Sequence, residues 1–591
     1  MKLRKILALA LALIMAFAMA GCCSNDGAAD PTATSKEQVL NVCIASEPDS
    51  LDPALNSSTD GATMVVHLFS GLAKWNADGT AVEPDCLVDF AEGVENEDGT
   101  VTYTYKIKEG LLWSDGQPLT AGDFEFSWKR ASAPETAADY GYMFEVIKGY
   151  NEGELAVTAL DDTTLEVTLY NAISYWNELL AFPVYMPVRE DVVANEGWWT
   201  DPSTYVCNGP YKMTSWKHNS LIVLEKNENY HDAESITMPK INCYLSDDAA
   251  NMLANFKTGA WQFIDDVPTD EMAALAEQYP DEYTVIGQLG TYFVCWNVNE
   301  NLLPATSTLT GVEAENAESE IRNALGLLLD RNYIVEYLSQ AGEVPASTFV
   351  GMGMTDVDGS EFRANTGVSD EYMGYFNVDD VDGNYAIAME ILKKYYTYDE
   401  ATGKFTDMPS LTYIYNVTPA HQAIGEYIQS VFTGVGMDIQ LENQEWATFL
   451  DTRNAGDFSV ARHGWVADYN DPITFLDMWV SFSGNNDVQF GKGENATLKA
   501  YSMDLTPYGY DIVVENGTWA ETYDVLIATI KKCTDQDTRY ALMHYAEDLL
   551  MATGCINPIY YYTDLFMIDD SVEGFFANPL GYKYFMYTTI K

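Results

Sequence analysis

The sequence predicts an α/β or α+β protein with several sheets, because strand-like and helix-like patterns alternate along the whole chain. Four short apolar or alternating runs are typical of strands, at residues 39–45, 103–107, 164–170 and 221–224. Helices are expected around residues 64–72 and as a pair within 524–553. Apolar residues from Ile321 to Leu329 recur at helical spacing and predict a helix that ends near Gly342. Residues 494–522 form the least regular stretch.

Composition bounds the class of protein. The 591 residues are 47% hydrophobic and 13% aromatic, which is enough for several cores and two to four domains. The net charge of −58 would repel phosphate backbones and excludes nucleic-acid partners. We interpret this charge as a solvated coat that keeps the protein soluble; an acidic site for cationic ligands is the alternative.

The N-terminus has the pattern of an exported lipoprotein. Lys2, Arg4 and Lys5 precede an apolar run at residues 6–20, which is shorter than the ~20 residues of a spanning helix. Cys22 follows small residues, as in a bacterial lipobox. The sequence therefore predicts a signal peptide at residues 1–21, lipidation of Cys22 and a flexible tether over 22–38. Lipid would be the only membrane contact, on the outer face of the cytoplasmic membrane or facing a periplasm.

No readable catalytic or metal motif is present. The chain has no HExxH, GxSxG, P-loop or GxGxxG pattern, and no histidine pair at metal-ligand spacing. The Asp-rich turns at residues 356–359 and 379–383 are interpreted as surface turns rather than calcium loops. Nine cysteines, two of them at the anchor, indicate buried single thiols with at most one or two disulfides. No cofactor, metal or enzymatic activity is expected.

Six motifs in order resemble those of the peptide-binding proteins of ATP-binding-cassette importers. They are residues 47–53 (EPDSLDP), 113–124 (WSDGQPLTAGDF), 208–211 (NGPY), 226–230 (KNENY), 322–331 (RNALGLLLDR) and 443–470, which begins NQEWATFLDTR. The last and longest resembles the oligopeptide-binding branch in particular. The resemblance covers the chain from about residue 39 to its end.

This resemblance implies a periplasmic-binding-protein-like α/β fold of two lobes, with the ligand cleft between them. The first lobe would combine residues 39–69, 206–290 and 562–591, and a small extra domain would span 70–205. The second lobe would span 291–561. Two crossing connections would form the hinge.

The resemblance also implies which residues hold a peptide. Asp468 matches the aspartate that pairs with the peptide ammonium, since a charge buried in a closed cleft needs a counter-ion. Arg462 and His421 match positions that meet the carboxylate of peptides of different lengths. Ser339 stands where the family has a third cation, a lysine. An ordinary salt-bridge or surface role is the alternative for these residues.

Backbone and side-chain pockets complete the implied site. Residues 460–466 would present a strand to the extended ligand. The remaining residues implied to line the site are Ser57, Thr59, Tyr140, Trp446, Leu450, Arg453, His463, Gly464, Trp465, Val466 and Tyr562. Plain core packing is the alternative for the aromatic members. Gly290 and Val466 occupy positions that form a disulfide in some relatives, and both cysteines are missing here.

The function hypothesis is a monomeric substrate-binding lipoprotein that captures short peptides and delivers them to the importer's permease subunits. Three alternatives keep the same fold but bind another cargo, namely a dipeptide, a nickel complex or an oligosaccharide. A fourth, from another class, is an exported hydrolase. The pair Arg462 and Asp468 favours a zwitterion over an uncharged sugar.

Overall fold

The structure is a computed structural model that describes residues 38–76, 80–367, 369 and 371–591. The expected signal peptide, the lipidation site Cys22 and the tether up to residue 37 lie outside the described residues.

One mixed sheet of eleven strands organises the described chain. In chain order its strands are β1 (Leu40–Cys43), β2 (Tyr211–Lys217), β3 (Leu221–Lys226), β4 (Lys240–Tyr244), β5 (Phe263–Ile264), β6 (Tyr283–Trp296), β7 (Val344–Pro345), β8 (Ser410–Asn416), β9 (Asp438–Gln444), β10 (Val460–Val466) and β11 (Ile556–Ile568). Their spatial order is β9-β8-β10-β6-β11-β5-β1-β4-β3-β2, with β7 also paired to β11.

The two long strands β6 and β11 join the two halves of this sheet. Strand β6 pairs with β10 from one half, and β11 pairs with β5 from the other. The antiparallel pairing of β6 with β11 shifts register between Gly287 and Thr291, where the ladder is interrupted. Gly290 lies opposite Val466 in the β6–β10 pair, so these two positions are direct cross-strand neighbours.

A separate four-stranded antiparallel sheet lies within residues 70–205. Its strands, in spatial order, are Val94–Glu95, Val101–Lys106, Thr164–Leu169 and Val157–Asp161. Helix Ala121–Ser132 packs on it, and Trp128 of this helix is fully buried and donates to the Tyr185 carbonyl. Arg130 of the same helix makes a two-pronged ion pair with the buried Asp52.

The other described elements are short hairpins and helices. Five two-stranded sheets pair Ala73–Trp75 with Val82–Pro84, Tyr398–Asp399 with Lys404–Phe405, Tyr501–Asp504 with Val513–Gly517, Val572–Glu573 with Thr589–Ile590, and Phe576–Ala577 with Lys583–Tyr584. The described α-helices are Thr59–Leu68, Ala121–Ser132, Trp176–Leu179, Glu190–Val193, Ala249–Lys257, Met272–Gln278, Val312–Leu327, Arg331–Tyr333, Val381–Leu392, Pro419–Val435, Trp446–Ala455, Val525–Lys532 and Gln536–Ala552.

The expected elements are present, with three corrections. The helix around residues 64–72 is Thr59–Leu68, because the Ser58 hydroxyl caps it by accepting from Gly61 N–H. The helix expected to end near Gly342 is divided in two. Helix Val312–Leu327 ends at Leu327, and Asp330 caps a second helical segment by accepting from Tyr333 N–H. This segment comprises Arg331–Tyr333 and the π-helix Ile334–Ser339. Residues 494–522 contain the hairpin Tyr501–Asp504 and Val513–Gly517.

The cysteines match the sequence-based expectation within the described residues. All seven cysteines after the anchor are buried and unpaired, which confirms single thiols. No described helix is both long and apolar enough to cross a membrane. The domain boundaries proposed from the resemblance stay predictions.

Candidate ligand-binding cleft

A cavity of about 310 Å³, here called the main cleft, lies beside strand β10. Thirteen residues implied by the resemblance line it: Ser57, Thr59, Tyr140, Trp446, Leu450, Arg453, Arg462, His463, Gly464, Trp465, Val466, Asp468 and Tyr562. They come from segments far apart in the chain, so the fold brings them together.

Asp468 is a buried carboxylate without a cationic partner among the described residues. It is 7% exposed, and it accepts hydrogen bonds from the Tyr140 hydroxyl at 3.2 Å and the Thr474 hydroxyl at 3.3 Å. Burial, followed by the charge of Asp477, raises its pKa well above the usual range. A positively charged ligand group is what this carboxylate lacks.

Arg462 is the opposite case, a buried guanidinium without a carboxylate partner among the described residues. It is 6% exposed, and its Nε donates to Asn416 Oδ1 at 2.7 Å. The guanidinium carbon lies 5.0 Å from the Trp446 ring centre and 5.1 Å from that of Phe449. Burial lowers its pKa from the usual value. An anionic ligand group would compensate this guanidinium for the hydration that it loses on burial.

Strand β10 between these two charges has an open edge. On one side it pairs with β6 from Val460 to Val466, but on the other it pairs with β8 only at Val460 and Ala461. The backbone from Arg462 to Val466 thus has no strand partner on its cleft side in the described chain. At about 3.3 Å per residue this edge spans about 13 Å, the length of a short extended peptide.

Arg453 differs from Arg462 because its charge is satisfied. Its Nε contacts Asp487 Oδ2, and the same oxygen lies 2.9 Å from His463 Nε2. Burial, then the charge of Arg453, lowers the pKa of His463 to about 4, so this imidazole is neutral at pH 7. These three residues form a wall of the cleft with paired charges.

Aromatic residues and one glycine shape the side-chain space. Trp465 is held by a hydrogen bond from its indole N–H to the Thr474 carbonyl at 2.8 Å, and its ring lies 6.1 Å from that of Tyr140. A Cβ on Gly464 would come within 1.9 Å of the Tyr562 hydroxyl oxygen, so glycine is required for this close approach.

The motif at residues 47–53 positions the loop that precedes helix Thr59–Leu68. Asp49 accepts hydrogen bonds from Asn56 Nδ2 at 2.9 Å, from Ser57 N–H at 2.8 Å and from the Ser58 hydroxyl at 2.6 Å. Both oxygens of Asp49 are used within the loop. Ser57 and Thr59 thereby reach the cleft wall.

His421 and Ser339 lie elsewhere. His421 does not line the main cleft; it stacks on Tyr292 at 5.6 Å, and its buried Nδ1 has no hydrogen-bond partner in the described chain. Burial, then the charge of Arg462, lowers its pKa well below the usual value, so it is neutral. Ser339 is buried, donates to the Ile334 carbonyl and lines a neighbouring cavity. The carboxylate-binding role of His421 stays a prediction.

Sequence reasoning missed several polar residues of the cleft: Asp60, Asp139, Asn416, Asn454, Asn485, Asp487 and Tyr582. Asn416 was detectable only from the fold, because it reaches Arg462 from strand β8. Burial, countered by the amide of Asn454, raises the pKa of Asp139 to about 6. Within the described residues no group of histidines, cysteines and carboxylates could hold a metal ion.

Contacts across the cleft join residues 70–205 to the segments that precede and follow β10 in the chain. Asn454 Nδ2 donates to Asp139 Oδ1 at 3.1 Å, and Asn470 N–H donates to Glu178 Oε2 at 2.7 Å. The rings of Tyr175 and Tyr469 stack at 4.4 Å. These contacts link the two sides of the cleft.

Known proteins are similar to this chain in sequence and in fold. Residues 88–487 match the family described as bacterial extracellular solute-binding proteins, family 5 Middle. The dipeptide-binding protein DppE of Bacillus subtilis is 31% identical over 98% of each chain. The oligopeptide-binding protein OppA of the same organism is 31% identical over 92% of this chain and 91% of its own.

The similarity extends to solved structures. The murein tripeptide binding protein MppA of Escherichia coli superposes with a TM-score of 0.78 at 25% identity, covering 95% of this chain and 99% of that one. An unliganded open form of MppA gives a TM-score of only 0.57, so the lobes here are arranged differently from that open form. The fold is thus the two-lobed α/β fold. The chain belongs to family 5 of the bacterial extracellular solute-binding proteins.

Proposed function

We propose that this protein captures short peptides with free termini and delivers them to the permease of an ATP-binding-cassette importer. One observation carries the proposal. The main cleft contains a buried carboxyl group, Asp468, and a buried guanidinium, Arg462, neither with a partner of opposite charge in the described chain. A zwitterion satisfies both charges at once.

The strand edge between these charges supports a peptide in particular. A peptide lying along Arg462 to Val466 would complete the open side of β10 through main-chain hydrogen bonds, which do not depend on sequence. The walls formed by Trp446, Leu450 and Trp465 would then contact side chains. An uncharged oligosaccharide would leave both buried charges unpaired, so the cleft favours a peptide.

Relatives named for dipeptides, oligopeptides and a murein tripeptide fit the same chemistry. In the proposed role the protein binds and releases its cargo without chemical change, as a monomer. Lipidation at Cys22 would hold it at the membrane, with residues 23–38 as the tether.

Modified peptides test this proposal directly. Isothermal titration calorimetry would compare trialanine, tetraalanine and pentaalanine with their N-acetylated and C-amidated forms. Acetylation removes the ammonium and is expected to weaken binding by about 2–5 kcal/mol, because Asp468 is left without a partner. Amidation is expected to weaken binding through Arg462.

Two outcomes would overturn parts of this proposal. Equal affinity for free and acetylated peptides would contradict the role of Asp468. Absence of measurable binding to all three lengths would contradict peptide capture itself.

A further inference from the structure

A second cavity of about 310 Å³, here called the acidic chamber, adjoins the main cleft. The two share Thr59, Asp60, Gln288 and Tyr562 as lining residues, so a ligand in one can extend into the other. Five carboxylates line the chamber: Asp60, Asp265, Asp266, Glu343 and Asp564. Lys583 is the one lysine or arginine among its lining residues.

Lys583 does not neutralise this wall. Its ammonium lies 2.9 Å from Asp265 Oδ1 and 3.1 Å from Asp564 Oδ1, so it pairs with two carboxylates at once. The Asp564 side chain is 8% exposed, and its other oxygen, Oδ2, is buried with no hydrogen-bond partner in the described structure. One polar atom of the wall therefore lacks a donor.

Three further carboxyls of the wall are also destabilised as anions by burial, and no described lysine or arginine besides Lys583 lines the chamber. Burial, then the charge of Asp265, raises the pKa of Asp60 to about 7. Burial raises the pKa of Asp265 to about 7 and that of Asp266 to about 6. A cation entering the chamber would be stabilised by each of these groups.

The chamber lies at the Arg462 end of the main cleft. The charge of Arg462 opposes the rise in pKa of both Asp60 and Tyr562, two residues of the shared wall. Pro419 and Ala420 line the chamber and closely follow Asn416, the hydrogen-bond partner of Arg462, in the chain. A peptide whose ammonium meets Asp468 would thus have its carboxyl-terminal part beside the chamber.

We propose that the acidic chamber receives the ammonium or guanidinium of a lysine or arginine side chain at or near the carboxyl end of the bound peptide. This inference rests on the proposed peptide-binding function. An organic cation fits better than a metal ion, because the described carboxylates are not grouped as metal ligands. Asp564 Oδ2 would supply the acceptor that a side-chain ammonium needs.

Calorimetry with matched peptides tests the inference. Tri-, tetra- and pentapeptides of alanine ending in lysine would be compared with the same peptides ending in norleucine, which keeps the apolar stem without the charge. At one length or more, the lysine peptide is expected to bind at least tenfold more tightly. A peptide with lysine first and alanine elsewhere is the positional control and is expected to bind like tetraalanine.

Two variants locate the effect. Asp564→Asn removes the charge at the unpartnered oxygen, and Asp60→Asn changes a carboxylate that makes no hydrogen bond or ion pair in the described chain, so its folding should be preserved. Each is expected to reduce the lysine-to-norleucine ratio at least threefold, while Asp281→Asn, on the exposed surface, leaves it unchanged.

The outcomes separate this inference from the proposed function. Equal wild-type affinities for lysine and norleucine peptides at every length would overturn the chamber's role and leave peptide capture intact. No binding of either series would overturn peptide capture. A lysine preference unchanged in both variants would place the cation outside the chamber and also overturn the inference.

Discussion

Asp468 and Arg462 illustrate how two residues of ordinary type become a recognition pair through burial. Arg453 lines the same cleft but is neutralised internally by Asp487. Asp468 and Arg462 have no such partner among the described residues, so a ligand of opposite charge can lower their free energy, because an isolated charge in a dry site is costly. Their difference from Arg453 lies in the neighbours, not in the side chain.

The raised pKa of Asp468 predicts that peptide binding is coupled to proton release. In the empty cleft the carboxyl tends to hold a proton, whereas a bound ammonium favours the carboxylate and lowers the pKa. Affinity should therefore fall as pH drops below the raised pKa, by at most about tenfold per pH unit. Calorimetry between pH 5 and 7.5 would measure this, since a peptide α-amino group of pKa about 7.7–8.0 stays largely protonated there.

Asp468→Asn is the control for this pH dependence. The variant should bind trialanine more weakly at pH 7, by about 2–5 kcal/mol, and with a flatter pH profile. Asp60 and Asp139, with pKa values of about 7 and about 6, titrate in the same window and remain in the variant. An unchanged slope in Asp468→Asn would assign the proton to one of them instead.

At the scale of elements, strand β10 carries most of the site because its two edges differ. One edge is fixed by β6, and the other is open from Arg462 onward because β8 pairs with only its first two residues. Helix Trp446–Ala455 begins beside this open part and contributes Trp446, Leu450 and Arg453 to the cleft. A rigid strand with a free edge is a suitable template for an extended ligand.

Gly464→Ala should disturb this element. The added Cβ would meet the Tyr562 hydroxyl at 1.9 Å, so the strand or the tyrosine ring must move. We expect a loss of about 1–3 kcal/mol in the free energy of unfolding, together with weaker peptide binding as the ring moves in the cleft. Urea unfolding and calorimetry would measure the two effects.

Gly434→Ala is the matched control. Gly434 lies in helix Pro419–Val435, and a Cβ there would meet nothing within 4 Å. Alanine is expected to stabilise this helix by about 0.5–1 kcal/mol and leave peptide affinity unchanged. Similar losses in both variants would contradict the steric explanation for Gly464.

At the scale of the whole molecule, the long strands β6 and β11 connect the two halves of the sheet. The register shift between Gly287 and Thr291 interrupts their pairing at the boundary between the halves. Gln288, next to this break, lines both the main cleft and the acidic chamber. A hinge at this position would move the walls of both cavities together.

The proposed membrane attachment concerns the whole molecule and depends on the N-terminal segment. Cys22→Ser should abolish lipidation, and cell fractionation should then find the protein in the soluble fraction or the medium instead of the membrane. Peptide affinity should be unchanged, because the described cleft contains no residue before Ser46. Continued membrane association of the variant would contradict lipid as the only anchor.

Much of the site could be predicted because its residues lie within continuous motifs. Residues 443–470 alone supply Trp446, Leu450, Arg453, Arg462 and Asp468, so recognising the segment was sufficient to name them. Asn416 and Asp139 lie in no such motif, and they reach the cleft only through pairing of β8 with β10 and packing across the cleft. His421 was named from its position in the sequence. Its packing on Tyr292 could not be predicted, because His421 lies in helix Pro419–Val435 and Tyr292 lies in the distant strand β6.

The sequence by itself determined what local patterns encode: a strongly acidic composition, single cysteines, the alternation of strands and helices, the order of the motifs, and the prediction of an export leader. Tertiary structure alone decided which charges are paired, where helix 312–327 ends, and that an acidic chamber adjoins the cleft. The physical reason is that strand and helix periodicities arise between near neighbours, whereas desolvation and counter-ion pairing depend on which distant segments meet.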